Sequence, residues 1–460
     1  MPTSRYDLIV VGGGAGGLAA ARAARRGGAR TLLVEAGPLG GDCTFTGCVP
    51  SKTLLSAAAQ GLDWSSAITR VHDTITAVAA AEDDTVLAGE GIDVAHGHAR
   101  FTTPSEIDVD GTRIRAESFV VATGATPSVP PVPGLAETPY LTSETVFDLS
   151  ERPSSLVVLG GGPIGCELAQ AFARLGVAVT VVEADDRLLT REEPDASTVV
   201  TAALRSDGVE VRTGEKAVAA RTGPAGVRLE LEGGDGIDAE RLLVAVGRHP
   251  SGAGLGLEEI GVEVDNRGAV VTDDTMATAI RGIWAVGDVT GRLALTHAAG
   301  RMALVAVGNA TSRLARVRPK RFDAGRVPWA TFTDPEVGRV GLTEAEAAAH
   351  GGRVAELPFT ELDRAITAGR TEGFVKLIAG PRRGLGWTGG GRLLGATVVG
   401  PTGGDVVHEA ALAVRTAMFT GRLAQTVHVY PSWSIAVQLA AAQFFFVSGG
   451  REARPARPGP

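Results

Sequence analysis

Two copies of one strand–turn–helix–strand unit predict an α/β chain built on parallel sheets. Three observations carry that prediction. Leu8-Ile9-Val10-Val11 runs into Gly12, Gly14 and Gly17, then an alanine-rich helix, then Thr31-Leu32-Leu33-Val34 and Glu35. Leu156-Val157-Val158-Leu159 runs likewise into Gly160, Gly162 and Gly165, then a helix, then Val179-Thr180-Val181-Val182 and Glu183. First glycine to acid is 23 positions in both, 12 to 35 and 160 to 183. A second echo follows each copy. Val120–Gly124 leads into Ala125-Thr126-Pro127-Ser128, and Leu243–Gly247 leads into Arg248-His249-Pro250-Ser251.

Each glycine of the unit has a physical reason. The first allows a tight turn, the second lets the backbone approach a pyrophosphate, and the third packs helix on strand. The pyrophosphate then lies on a helix N-terminus, where free N–H groups and the macrodipole favour an anion. Two such Rossmann-like folds imply two dinucleotides. Glu35 is placed to accept hydrogen bonds from one ribose. Glu183 is placed on the 2′-hydroxyl of the other, where it repels a 2′-phosphate and favours NADH over NADPH. Arg187 and Arg191, just downstream, argue the other way, since either can reach a phosphate.

Between the first unit and its echo lies Gly40–Lys52, GGDCTFTGCVPSK, with Cys43 and Cys48. In a regular helix residues five apart have Cα atoms roughly 8–9 Å apart, whereas a disulfide tolerates about 4.4–6.8 Å. The segment is therefore expected to break its helix, at Gly47, and to carry a labile bridge against a bound flavin. Lys52 can stabilise a thiolate or a reduced flavin by its charge. Glu167 falls in the first turn of the second fold's helix, where a carboxylate suits the dipole. Asp288 follows the buried run Ile283–Val286, and Cys166 reads as a small buried residue.

The chain as a whole limits the alternatives. Its 460 residues suggest about three domains. Composition is that of a globular protein, 44% apolar and 21% charged, with a net charge of −8 that argues against nucleic acid or an anionic membrane surface. One further cysteine leaves no disulfide framework, which fits a reducing cytoplasm. The N-terminal apolar run is too short for a signal-peptide core, and no metal centre is expected.

These motifs together resemble the flavin-containing pyridine nucleotide–disulfide oxidoreductases, which include lipoamide dehydrogenase, glutathione reductase and mercuric reductase. GGDCTFTGCVPSK looks like that family's redox-active segment, and Gly282–Asp288, GIWAVGD, like its second flavin motif. Val327–Ala347 is similar to the start of its dimerisation domain. The resemblance implies FAD in the first fold, NAD(P)H in the second, an α+β dimerisation domain at the C-terminus and a homodimer. It implies that Cys43 exchanges with substrate, that Cys48 faces the flavin, and that Lys52 and Glu167 pair beside the flavin N5. Asp288 then binds the ribitol, and His297 starts the helix beneath the flavin. Gly41, Thr123 and Gly124 join the FAD site, and Gly247 the NAD site. The expected domains are 1–150 and 271–325 for FAD, 151–270 for NAD(P) and 326–448 for the interface. The Arg-, Pro- and Gly-rich residues 449–460 are expected to be a disordered tail.

One part of the pattern is missing. Disulfide-reducing relatives carry His-Pro-Thr and then a glutamate near the C-terminus, supplied to the partner's cysteines as an acid–base dyad. Aligned on Pro431, this chain has Tyr430 at the histidine and Ile435 at the glutamate. His428 is a candidate to stand in for the imidazole, and Trp433 to stack on a substrate. Phe444-Phe445-Phe446 is expected in the core or the interface, and Trp387 at the exposed tip of a hairpin loop over Gly380–Arg392. The expected function is electron transfer from NAD(P)H through flavin and Cys43–Cys48 to a small thiol or disulfide, or the reverse. The alternatives are a metal-ion or quinone reductase, or a non-catalytic flavin-binding remnant.

Overall fold

The structure is a computed structural model that describes residues 5–223 and 226–459. The first apolar run forms strand Tyr6–Val11, in parallel with Thr31–Glu35 on one side and Thr112–Val121 on the other. Its continuous Leu, Ile and Val suit a strand covered on both faces. Outward from there, Asp93–His96 joins Thr31–Glu35 in parallel, and Glu106–Val109 and Ala99–Thr103 extend the far side antiparallel. Ile283–Ala285 returns to pair with Thr112–Val121. Helix Ala15–Arg26 packs on helix Thr296–Thr311 through small residues, Gly16 facing Ala299. Phe101 and Phe119 meet edge to face at 5.1 Å in a core shared with Ile9, Val11 and Leu32.

The second glycine unit builds a sheet in the order Glu210–Thr213, Ala178–Glu183, Ser155–Leu159, Arg241–Val244, its first three strands parallel. A meander of Ala217–Gly223, Gly226–Leu231 and Gly236–Ala239 follows. Past residue 325 an antiparallel sheet runs Trp329–Thr331, Glu336–Gly341, Arg392–Gly400, Phe374–Gly380, Arg353–Pro358. Helices Gly403–Arg415 and Ile435–Ala442 bury Val407, Ala410, Val437 and Ala440 against it.

Contacts divide the chain into two units. One holds Met1–Pro131, Tyr140–Arg152 and Leu243–Ala324; the other holds Val132–Pro139, Pro153–Leu242 and Gly325–Pro460. The chain thus re-enters the first unit at Leu243, before the boundary expected at 271. The cause is the second echo itself, since Arg248–Pro250 pairs antiparallel with Ala125–Pro127.

Two expectations are corrected. Residues 449–459 are not a disordered tail: Arg454–Pro455 adds a strand to Arg353–Pro358, and Arg454 clasps the Glu344 carboxylate, one bond at 2.9 Å. Trp387 is half-buried against the C-terminal core, with the Arg353 guanidinium over its ring at 5.4 Å. The three phenylalanines divide, Phe444 entering that core while Phe445 and Phe446 stay exposed. Among the described residues no helix is long and apolar enough to cross a membrane.

Candidate active site

Each glycine loop is shaped by what a side chain would strike. Gly12 has φ +105° and Gly160 φ +114°, backbone that glycine adopts without strain. A Cβ on Gly17 would overlap the Gly12 carbonyl oxygen, and one on Gly165 that of Gly160. In front of the middle glycines there is room: a Cβ on Gly14 would find its nearest neighbour at 3.9 Å, and one on Gly162 nothing within 4 Å. These open backbones, each leading into a helix N-terminus, fit the pyrophosphates of FAD and of a nicotinamide dinucleotide. The acids also brace their turns. Glu35 accepts from Gly13 N–H and, at 2.6 Å, from Gly37 N–H. Glu183 accepts from Gly161 at 2.6 Å and Asp185 at 2.9 Å. Each carboxylate oxygen keeps a further lone pair for a ribose hydroxyl.

The cysteine segment breaks its helix where expected. Helix Gly41–Phe45 stops, and helix Cys48–Ala59 begins after Gly47. A Cβ on Gly47 would lie 2.8 Å from the Asp42 carbonyl oxygen, so the chain can fold back only over glycine. The fold-back brings the two side chains together: Cys43 and Cys48 are thiols whose sulfurs meet at one hydroxyl, that of Thr296. Gly41, at φ +60°, packs its backbone on Gly14 and so seats this segment on the first glycine loop.

Sequence reasoning missed the third member of the cluster. Thr296, first residue of helix Thr296–Thr311, donates its hydroxyl to Cys43 Sγ at 3.3 Å and touches Cys48 Sγ at 3.6 Å. The bond to Cys48 and then burial push the Cys43 thiol up, while Thr296 pulls it down. His297 stands next to Thr296, exposed at the helix start, and Lys52 lies one turn past Cys48. A signal was available in the sequence: a hydroxyl beside the residue already assigned to the flavin helix.

Arg248 was missed as well. Its guanidinium donates to the Asp42 carboxylate and the Ala125 carbonyl, and lies 3.9 Å from Asp288. Burial raises the Asp288 carboxyl, and Arg248 opposes that. The arginine thus ties the expected ribitol ligand to the cysteine segment. The two echoed strands explain its place. Ser128 N–H bonds Gly247 O at 2.9 Å and Ser251 N–H bonds Gly124 O at 3.0 Å, with Thr123 Oγ1 on Ser251 O at 2.7 Å. Gly124 and Gly247, at φ +71° and +135°, sit in this one pair with nothing within 4 Å of a built Cβ.

The remaining candidates lie in the second unit. Glu167 is buried and accepts from Phe332 N–H at 2.9 Å. The His428 side chain is 7% exposed, and both ring nitrogens are engaged, Nδ1 with Thr426 O and Nε2 with Glu409, each at 2.9 Å. Its geometry is that of a loop pin. Tyr430 is 67% exposed and donates its hydroxyl to Asp363 at 2.7 Å, which raises its pKa. Trp433 packs on Phe359 at 5.4 Å, and Ile435 packs on the same core. Cys166 is fully buried, its thiol donating to Gly161 O at 3.3 Å.

Residues 6–303 match the pyridine nucleotide-disulphide oxidoreductase family, and residues 327–441 match its dimerisation domain. The chain is 36% identical to a dihydrolipoyl dehydrogenase of Thermus scotoductus, over 95% of this chain and 96% of the relative. It is 37% identical to a mercuric reductase of Streptomyces lividans over the same shares, 95% and 96%. Its fold superposes on the Cu(II) complex of the HOCl-induced flavoprotein disulfide reductase RclA from Escherichia coli with a TM-score of 0.87, at 29% identity, over 95% of this chain and 99% of that one. LpdA from Mycobacterium tuberculosis gives 0.86 and 28%, over 95% and 100%.

Proposed function

This chain belongs to the pyridine nucleotide–disulphide oxidoreductase family, and from that premise we propose that it reduces a small-molecule disulfide at Cys43. It is an NAD(P)H-dependent FAD disulfide oxidoreductase, so the non-catalytic reading falls away. What supports this reading of the substrate is the cluster of Cys43, Cys48 and the Thr296 hydroxyl.

When bound, FAD relays two electrons between the nicotinamide and the cysteine pair. Cys43, as thiolate, attacks one sulfur of the substrate and expels a thiolate. Cys48 then attacks the Cys43 sulfur, closing the Cys43–Cys48 bridge and freeing the second thiol. Balanced over one turn, NADH, a proton and a disulfide give NAD⁺ and two thiols. Thr296 stabilises the attacking thiolate by its hydrogen bond. Lys52, one turn past Cys48, supplies positive charge to the thiolate or the reduced flavin. Tyr430, from the partner of a homodimer, donates a hydrogen bond over Cys43, exchanging Asp363 for the sulfur. A phenol with a reference pKa of about 10 is a donor near neutral pH but a poor base, which favours reduction over dithiol oxidation. The enzyme works in a reducing cytoplasm, where a dithiol persists.

A second reading has a specific support. With Tyr430 and Ile435 in place of the dyad, the site lacks the imidazole that would shuttle a proton to a leaving thiolate; transfer to a soft metal ion needs none. One relative above is a mercuric reductase, and the RclA structure is a Cu(II) complex. Anaerobic NADH titration followed by an acceptor screen decides between them. The disulfide reading expects a long-wavelength charge-transfer band on reduction, and disulfide turnover that Cys43→Ser abolishes with flavin reduction intact. Faster NADH oxidation with Hg(II) or Cu(II) than with any disulfide favours the metal. Turnover of quinones that survives Cys43→Ser overturns both.

A further inference from the structure

The loop after Glu183 carries the two arginines that argued for NADPH, and the C-terminal domain holds it. Residues 184–193 join strand Ala178–Glu183 to helix Pro194–Ser206. Arg187, half-buried, folds back onto its own loop. Its Nη1 donates to Leu189 O at 3.2 Å and its Nη2 to Thr190 O at 2.7 Å. Leu189 has φ +49°, left-handed backbone that a leucine adopts only under constraint. Part of the constraint is local: Leu189 N–H bonds Gly161 O at 2.9 Å, and Ser197 Oγ bonds Leu188 O at 2.6 Å.

The rest comes from strands more than a hundred residues away. Buried Arg339, on Glu336–Gly341, donates to the Arg191 carbonyl and lies 3.7 Å from the Glu192 carboxylate. Trp329, under the Arg339 guanidinium at 4.5 Å, donates Nε1–H to Glu192 at 2.6 Å. Glu344 N–H bonds Glu193 at 2.6 Å. Lys376, 1% exposed in a strand buried along its length, meets Asp195 at 2.6 Å and Glu193 at 3.5 Å. Residues 191, 192, 193 and 195 are therefore each gripped by the C-terminal domain. Burying two cations in a sheet is costly unless they are paired this way.

We infer that Arg339 and Lys376 are positioning residues of the coenzyme site, holding the loop so that Arg187 stays turned onto its own carbonyls and a carboxylate, not a guanidinium, meets the ribose. Selectivity for NADH then depends on the anchoring of Arg187 as well as on Glu183. This rests on the reading of Glu183 as the ribose acceptor, and it adds the C-terminal domain as a determinant of coenzyme choice.

The test is anaerobic stopped-flow flavin reduction in the FAD-loaded enzyme, with NADH and NADPH in separate series. Arg339→Gln is expected to cut the NADH-to-NADPH selectivity at least tenfold through the half-saturating concentrations, with limiting rates within twofold. Adding Arg187→Gln to that variant is expected to abolish the gained use of NADPH, because no guanidinium remains to swing out. Arg370→Gln, which breaks ion pairs to Asp334 and Glu372 in the same unit, is the control and leaves coenzyme selectivity unmoved. Where Arg339→Gln does not fold, Lys376→Met frees the other end of the loop and is expected to shift selectivity the same way. An Arg339→Gln enzyme that loses thermal stability while its selectivity stays within twofold overturns the inference. A wild type that prefers NADPH tenfold sinks the Glu183 reading instead; the anchoring then stands or falls on whether Arg339→Gln moves the half-saturation.

Discussion

Thr296→Val is the sharpest probe of the cysteine cluster, because valine keeps the shape of threonine and removes only the hydroxyl. That hydroxyl reaches Cys43 Sγ at 3.3 Å and Cys48 Sγ at 3.6 Å. A hydrogen bond to an ionised acceptor contributes about 1.5–3 kcal/mol, and one pKa unit corresponds to about 1.36 kcal/mol. The hydroxyl also bonds the neutral thiol, so only part of that figure survives as a difference. Taking about half of it, its loss should raise the first ionisation of the dithiol pair by about 0.5–1 unit. The assay is the pH dependence of iodoacetamide alkylation in the two-electron-reduced enzyme. The inflection should move up by that amount, and alkylation at a fixed pH below it should slow roughly 3- to 10-fold. An unmoved inflection, with the flavin spectrum unchanged, would show that Thr296 only packs against the sulfurs.

Four further outcomes are expected. Tyr430→Phe should lower kcat/KM for the best acceptor about tenfold with flavin reduction by NADH unchanged; equal turnover would reduce the tyrosine to packing. NADH should exceed NADPH at least tenfold in kcat/KM, and the reverse preference refutes the role given to Glu183. Burial works against charge on His428, but its bonds to Glu409 and Thr426 outweigh that, and its pKa is raised. A raised folded pKa gives stability that is full below the unfolded value of about 6.5 and is lost as pH rises through the folded one. The melting-temperature gap between wild type and Glu409→Gln should therefore be largest at low pH and close as pH rises; a gap that widens contradicts the ion pair. Deleting residues 450–460 removes the strand Arg454–Pro455 and the grip on Glu344. The loss should be about 1–3 kcal/mol by thermal or denaturant melts, and no loss would mean the strand contributes nothing.

The parts of the fold that could be read from the sequence are those fixed by local sterics. Gly17 and Gly165 are required because a side chain would collide with the carbonyl oxygen five residues earlier, of Gly12 or Gly160, Gly12 and Gly160 because their φ is positive, and such requirements leave a spacing in the sequence. The echo after each unit was visible through its repeated glycine, at positive φ in both copies, although nothing in either copy alone says that Ala125–Pro127 will pair with Arg248–Pro250. The C-terminal strand was not readable. Arg, Pro and Gly describe a solvated segment unless a partner far away in sequence is waiting; here Glu344 and the edge of Arg353–Pro358 supply it.

At the site the same division holds, and it bears on the direction of the chemistry. Cys43, Gly47 and Cys48 form one local motif, whereas Thr296 reaches the sulfurs across 253 positions and Arg248 reaches Asp42 across 206. Proximity to Pro431 made His428 look available, but the fold engages both its nitrogens with Thr426 and Glu409. The donors placed on the sulfurs are hydroxyls: Thr296 in the first unit and, in the proposed dimer, Tyr430 of the partner subunit. Hydroxyls with pKa values of about 10 and above donate near neutral pH and do not accept a proton, where the imidazole of the disulfide-reducing relatives does both. A site so furnished stabilises a thiolate once electrons have arrived and gives little help to deprotonating an incoming dithiol. The replacement of a base by donors therefore points the enzyme toward reduction, with the acceptor drawn from those that need electrons more than proton transfer.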